Sequence, residues 1–118
     1  MDPKDKVALI TGGARIGAAI AEGLARRGCH VALTYRSSRK AVQGTVLKLR
    51  SLGVRALAVK ADLSRSQGAA SVVEATHEAL GGPDILVCMA SVYEETPFDR
   101  LDHAAWKRNI EVDLTSPY

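Results

Sequence analysis

The feature that most constrains this chain is a change of hydrophobic period that happens four times. Residues 7–10, V-A-L-I, are wholly apolar, as in a parallel strand covered on both faces. From Ile16 the spacing turns helical: Ile16, Ile20 and Leu24 stand four apart, with Ala21 and Ala25 beside them. Arg26 and Arg27 suit a last turn and Gly28 a stop. Residues 31–35 read as a second strand. Residues 39–52 read as a second helix, with Val42, Val46 and Leu49 on one face and Gly53 as its terminator. A third strand over 56–59 leads to a third helix, capped by Ser64 or Ser66, whose apolar face is Ala69, Val72, Val73, Thr76 and Leu80. After the turn at 81–84 come a fourth strand over 85–89, a loop through Pro97, and a last helix that begins near His103 and closes at Leu114.

Strand and helix alternating in this order predict the α/β class. The expected architecture is a doubly wound parallel sheet of four β-α units, with helices on both faces and right-handed crossovers. At 118 residues and 47% apolar content the chain is long enough for one domain with a real core, so residues 1–118 are read as a single unit. No internal repeat or low-complexity stretch interrupts it. The longest apolar runs fall far short of a membrane span, and M-D-P-K-D-K carries no signal-peptide pattern, so a cytoplasmic protein without membrane contact is the expectation. Cys29 and Cys88 each adjoin an apolar run and read as buried free thiols. His30, His77 and His103 lack ligand spacing, and no metal site is expected.

Charge is divided unevenly. Residues 1–65 hold 13 Lys/Arg against 4 Asp/Glu, and residues 66–118 hold 3 against 9. No acidic residue lies between Glu22 and Asp62. Such a field favours an anionic partner on the first half, although solvated helix faces account for residues such as Lys48 and Arg50. With 4% aromatics and no stacking residues interleaved with the basic ones, nucleic acid is not the expected partner.

A small anion-bearing ligand fits better, because T-G-G-A-R-I-G at 11–17 stands between the first strand and the first helix. Small residues let the backbone approach a pyrophosphate, and a helix N-terminus turns free N–H groups toward it. Gly12, Ala14 and Gly17 match G-x-G-x-x-G with alanine in the middle; the stretch also reads as a T-G-x-x-x-G-x-G loop one residue short. The second strand ends T-Y-R-S-S-R, with no carboxylate to hold a ribose 2′-hydroxyl. Arg36, with Arg15 from the loop and the hydroxyls of Ser37 and Ser38, suits a 2′-phosphate instead. NADP(H) is therefore the expected cofactor.

With these pieces in place the chain resembles the N-terminal, cofactor-binding half of the short-chain dehydrogenase/reductase family, whose sheet is of the Rossmann type. The T-G-G-A-R-I-G loop resembles a variant common among the family's NADP-dependent members. Ala61-Asp62-Leu63-Ser64 follows the third strand, where the family's Asp contacts the adenine amino group. D-I-L-V-C-M-A-S at 84–91 stands where the family has D-x-L-V-N-N-A-G or N-N-A-S, and W-K-R-N-I-E-V-D-L-T-S-P-Y at 106–118 is similar to its W-x-x-x-x-x-V-N-L-T-x-P-F segment. The resemblance implies a cofactor site made of Thr11, Gly12, Gly13, Arg15, Ile16, Gly17, Arg36, Ser37, Ser38, Asp62, Leu63, Ala90 and Ser91. It places Asp113 where the family carries a catalytic Asn. It also implies carbonyl or alcohol chemistry, with a small-molecule substrate and a homo-oligomer built through the helix from His103 to Leu114.

Three departures accompany it. Cys88 and Met89 replace both asparagines, and Asp113 replaces the third. The family's catalytic Ser and Tyr-x-x-x-Lys lie downstream of this segment, and none of Tyr35, Tyr93 and Tyr118 begins such a motif. The fourth strand would be an unpaired apolar edge. The expectation is thus an incomplete domain, the cofactor-binding half of an oxidoreductase and inactive by itself. The alternative is a non-catalytic nucleotide-binding or interaction module complete at this length.

Overall fold

The computed structural model describes all 118 residues, Met1–Tyr118. Four parallel strands, β1 (Val7–Thr11), β2 (His30–Tyr35), β3 (Ala56–Lys60) and β4 (Ile85–Cys88), form one sheet in the order β3-β2-β1-β4. The chain steps outward from β1 to β3 and then returns to the other side of β1. The crevice beyond the strand ends at that reversal is where such sheets bind ligands.

Helices cover both faces. Ile10, Val31 and Leu33 pack beneath α1 (Ile16–Ala25) and α2 (Arg39–Ser51), against Ala21, Ala25, Val42, Val46 and Leu49. Val7, Leu9 and Ala32 face the other way and meet Val72 and Leu80 of α3 (Ser66–Leu80). Successive strand residues point to opposite faces, so a strand buried on both has no polar position to offer. That is why β1 reads V-A-L-I. Asp84 ties the strand starts together: its Oδ2 accepts from Val7 N at 2.9 Å, and its own N–H donates to Val7 O at 2.8 Å.

Several local expectations are corrected. The inner face of α1 is Gly17, Ala21 and Ala25, whereas Ile16 is 64% exposed and Ile20 and Leu24 are only partly covered. The small residues let the helix lie close to the sheet. On α3, Val72, Thr76 and Leu80 are buried and Val73 faces out. Neither serine caps that helix: it starts at Ser66 after an uncapped Arg65, and Ser64 bonds Asp62 instead. The last helix, α4 (His103–Ile110), is capped by Asp102 and gives way to a π-helical turn over Glu111–Thr115, so Leu114 lies in that turn and not in a regular helix.

The cysteines also differ from one another. Cys29 is buried, with Sγ 3.3 Å from Lys6 O, and burial pushes its thiol pKa up. Cys88 is exposed, because the side of β4 that carries Leu86 and Cys88 has no helix over it. β4 pairs only with β1 and is an edge strand, as expected.

Candidate functional site

A cleft of about 350 Å³ opens at the C-terminal ends of the strands. Its floor is the loop after β1. Gly12 has φ +81°, and a Cβ there would lie 3.0 Å from both Met89 C and Ala90 N. Only glycine allows that turn and that approach. A Cβ on Gly13 would lie 2.9 Å from Leu33 Cβ. Gly17 is not in the cleft wall; it lets α1 reach the loop, since its Cβ would fall 2.0 Å from Gly12 O. Arg15, the residue before α1, has φ +50°, an unusual conformation for a side-chain-bearing residue and a mark of how tightly this short loop turns.

Backbone donors sort into two sets. Gly12 N donates to Thr34 Oγ1 at 3.0 Å and Gly13 N to Thr34 O at 2.9 Å. The N–H groups of Ala14, Arg15 and Ile16 have no partner in the protein, and no side chain caps α1. Unpaired donors at a helix start, beside a cradle that a Cβ would fill, fit a phosphate group.

Arg36, Ser37 and Ser38 form the wall beyond β2, and Arg15 lines the same cleft. Ser38 precedes α2 without capping it, which leaves its hydroxyl unspent on the helix. Asp62 and Leu63 line the side beyond β3. Ser64 donates to Asp62 Oδ1 from its hydroxyl at 2.6 Å and from its N–H at 3.0 Å. Those bonds, with lesser help from Arg36 and Arg65, hold the Asp62 carboxyl below the usual carboxylate range. Ala90 and Ser91 close the side beyond β4.

Four sequence-selected residues lie outside the cleft wall. Thr11 is buried beneath it, where Oγ1 accepts from Met89 N at 3.2 Å and Ala90 N at 3.3 Å and so steers the chain leaving β4. Gly17 sits behind the loop, and the Ile16 side chain points to solvent. Asp113 is exposed in the π-helical turn, with Oδ1 accepting from Val92 N at 3.1 Å, so it holds the segment after β4. Its neighbour Val112 is the residue that reaches the cleft. Thr34, Tyr35, Ala61, Met89 and Val92 also line it and were not among the expected cofactor contacts, although Met89 stands at one of the family's asparagine positions. Their common signal is position: each ends a strand or follows one closely. No group of three or more His, Cys, Asp or Glu side chains is placed to hold a metal ion.

Comparison with known proteins accords with this geometry. The family model described as short chain dehydrogenase matches residues 6–118. The short-chain dehydrogenase/reductase FrzI of Cladobotryum sp is 38% identical over 114 residues, which is 96% of this chain and 44% of that one. The chain therefore spans about half the length of most curated relatives it matches. The short-chain dehydrogenase/reductase homolog YusS of Bacillus subtilis differs in this respect: at 36% identity, the match covers 88% of this chain and 96% of YusS. Among solved structures, a short chain dehydrogenase from Burkholderia cenocepacia in complex with NADP has a TM-score of 0.92 and 37% identity, covering 98% of this chain and 48% of that one.

Proposed function

The chain belongs to the short-chain dehydrogenase/reductase family, and from that premise we propose that it binds NADP(H) and forms the cofactor-binding half of an oxidoreductase. The observation that carries this reading is the convergence of Arg15, Arg36, Ser37 and Ser38 on the cleft beside three unpaired N–H groups, with no carboxylate at the end of β2. The N–H groups of Ala14, Arg15 and Ile16 receive the pyrophosphate. The two guanidiniums and serine hydroxyls receive the 2′-phosphate, and Asp62 accepts from the adenine amino group. Bound there, the nicotinamide supplies a hydride acceptor or donor for a carbonyl or alcohol substrate. Residues 1–118 act as one nucleotide-binding unit, and Asp113 supports the segment that closes the cleft through Val92 N. Self-association runs through α4 and the turn after it, where Trp106 and Leu114 are 65% and 66% exposed.

The test is a binding titration of the 118-residue chain with NADPH and NADH. Wild type favours NADPH, and Arg36→Asp lowers NADPH affinity by about tenfold to a hundredfold, as expected for a charge-assisted bond turned to repulsion. Unchanged NADPH affinity in Arg36→Asp would remove the 2′-phosphate assignment.

A second reading, a nucleotide-binding module without catalysis, is favoured by the near-complete overlap with YusS. The intact mass of the protein from its native cell separates the two. A mass near 12.6 kDa supports the module, and a mass about twice as large supports a reductase with further catalytic residues.

A further inference from the structure

We infer that Thr34 is the positioning residue of the glycine loop: it occupies two consecutive N–H groups so that the next three face the phosphates. The inference rests on the cofactor reading above. Thr34 is the penultimate residue of β2, lines the cleft and is 2% exposed. An ordinary strand residue offers the neighbouring chain one backbone acceptor. Thr34 offers two, its carbonyl to Gly13 N at 2.9 Å and its hydroxyl to Gly12 N at 3.0 Å.

The second acceptor is needed because Gly12 turns into the left-handed region, with φ +81°, and its N–H leaves the β1 ladder. On the other side Gly12 rests against Met89 and Ala90, with no room for even a methyl group. The loop is therefore held by contact on the β4 side and by the Thr34 hydroxyl on the β2 side. Remove the hydroxyl, and a half-buried N–H loses its partner; it recovers one only by rotating the peptide that sets the direction of Ala14, Arg15 and Ile16. Thr34 thus governs recognition of the pyrophosphate, which NADPH and NADH share. Arg36 governs the distinction between them.

The decisive comparison titrates NADPH and NADH into the 118-residue wild type, Thr34→Val, Thr34→Ser and Arg36→Ala. Thr34→Val keeps the shape and loses the acceptor, and it is expected to weaken both nucleotides by about tenfold without changing their ratio. Thr34→Ser restores binding to within about twofold, and Arg36→Ala changes the ratio. Thr34→Val binding both nucleotides as tightly as wild type would overturn this inference and leave the cofactor reading standing. Wild type binding neither would instead defeat the cofactor reading. Amide hydrogen exchange on the ligand-free wild type needs no variant to fold. Gly12 and Gly13 should exchange more slowly than Ala14 and Arg15, and equal rates at all four would overturn the role given to Thr34.

Discussion

Two glycines on one helix should respond to the same substitution with opposite signs. Gly17 and Gly23 both lie in α1, and Gly→Ala in a helix interior gains about 0.5–1 kcal/mol from backbone entropy alone. At Gly23 a Cβ meets nothing within 4 Å, so Gly23→Ala should deliver that gain. At Gly17 the same atom lands 2.0 Å from Gly12 O and 3.0 Å from Gly12 C. Ordinary carbon–oxygen contact is about 3.3 Å, so helix and loop must part by roughly an ångström. Overpacking of this kind costs about 1–3 kcal/mol, and with backbone on both sides the upper end applies. Net of the helix gain, Gly17→Ala should destabilise by about 2–2.5 kcal/mol. In a domain of this size that lowers the melting temperature by about 8–10 °C, while Gly23→Ala raises it by about 2–4 °C. Thermal and urea unfolding followed by circular dichroism would read both. Because the stretch between the two clashing residues carries the unpaired N–H groups of Ala14, Arg15 and Ile16, Gly17→Ala should also weaken NADPH, and Gly23→Ala should not. Equal stability of the two variants would refute the reasoning from loop contact.

Acid sensitivity follows from Asp62. Its carboxyl is held below its ordinary value in the folded chain, so the unfolded chain takes up the proton first. The resulting stability is present above the unfolded pKa and drains as pH falls through the lower folded one, below about pH 4. Asp62→Asn should flatten the urea midpoint below about pH 4 relative to wild type, and an unchanged slope would count against the Ser64 bonds as its cause. Thiol labelling should divide the cysteines: exposed Cys88 reacts in the native protein, whereas Cys29, buried and raised in pKa, reacts only on unfolding. Two equally fast thiols would contradict the burial of Cys29.

The fold was legible because burial leaves its mark on period. V-A-L-I between a short polar start and a glycine loop suits a strand covered twice, and Val42, Val46 and Leu49 fall on one helical face and are buried together. The face of α1 was misread for a physical reason. Periodicity marks large apolar side chains, yet where a helix must approach backbone closely the inward residues are small, so Gly17, Ala21 and Ala25 lie inside and Ile16 outside. Cys88 was misread because a bare face of a strand has the composition of a covered one; only the layer packed over that face decides burial. In the site, glycines, arginines and serines announced themselves by type and order. Thr34 did not, since a threonine in a strand is ordinary, and its second bond exists only where β2 passes Gly12. Asp113 was noticed by likeness, but its contact with Val92 N depends on a turn that no spacing predicted.

The position of β1 in the sheet sets an order of assembly. Its register with β2 joins residues such as Val7 and His30, a short local crossover, whereas its register with β4 joins Ala8 to Ile85. The second pairing closes a far longer stretch of chain and carries the larger loop entropy, so it forms late. A ribosome delivers β1, α1 and β2 long before Asp84 emerges to clasp Val7. Of the two inner strands, β1 is thus the one that waits longer for its second neighbour. Nascent chains spend that interval with half the sheet's centre open, the stage at which a chaperone or a like strand would find them.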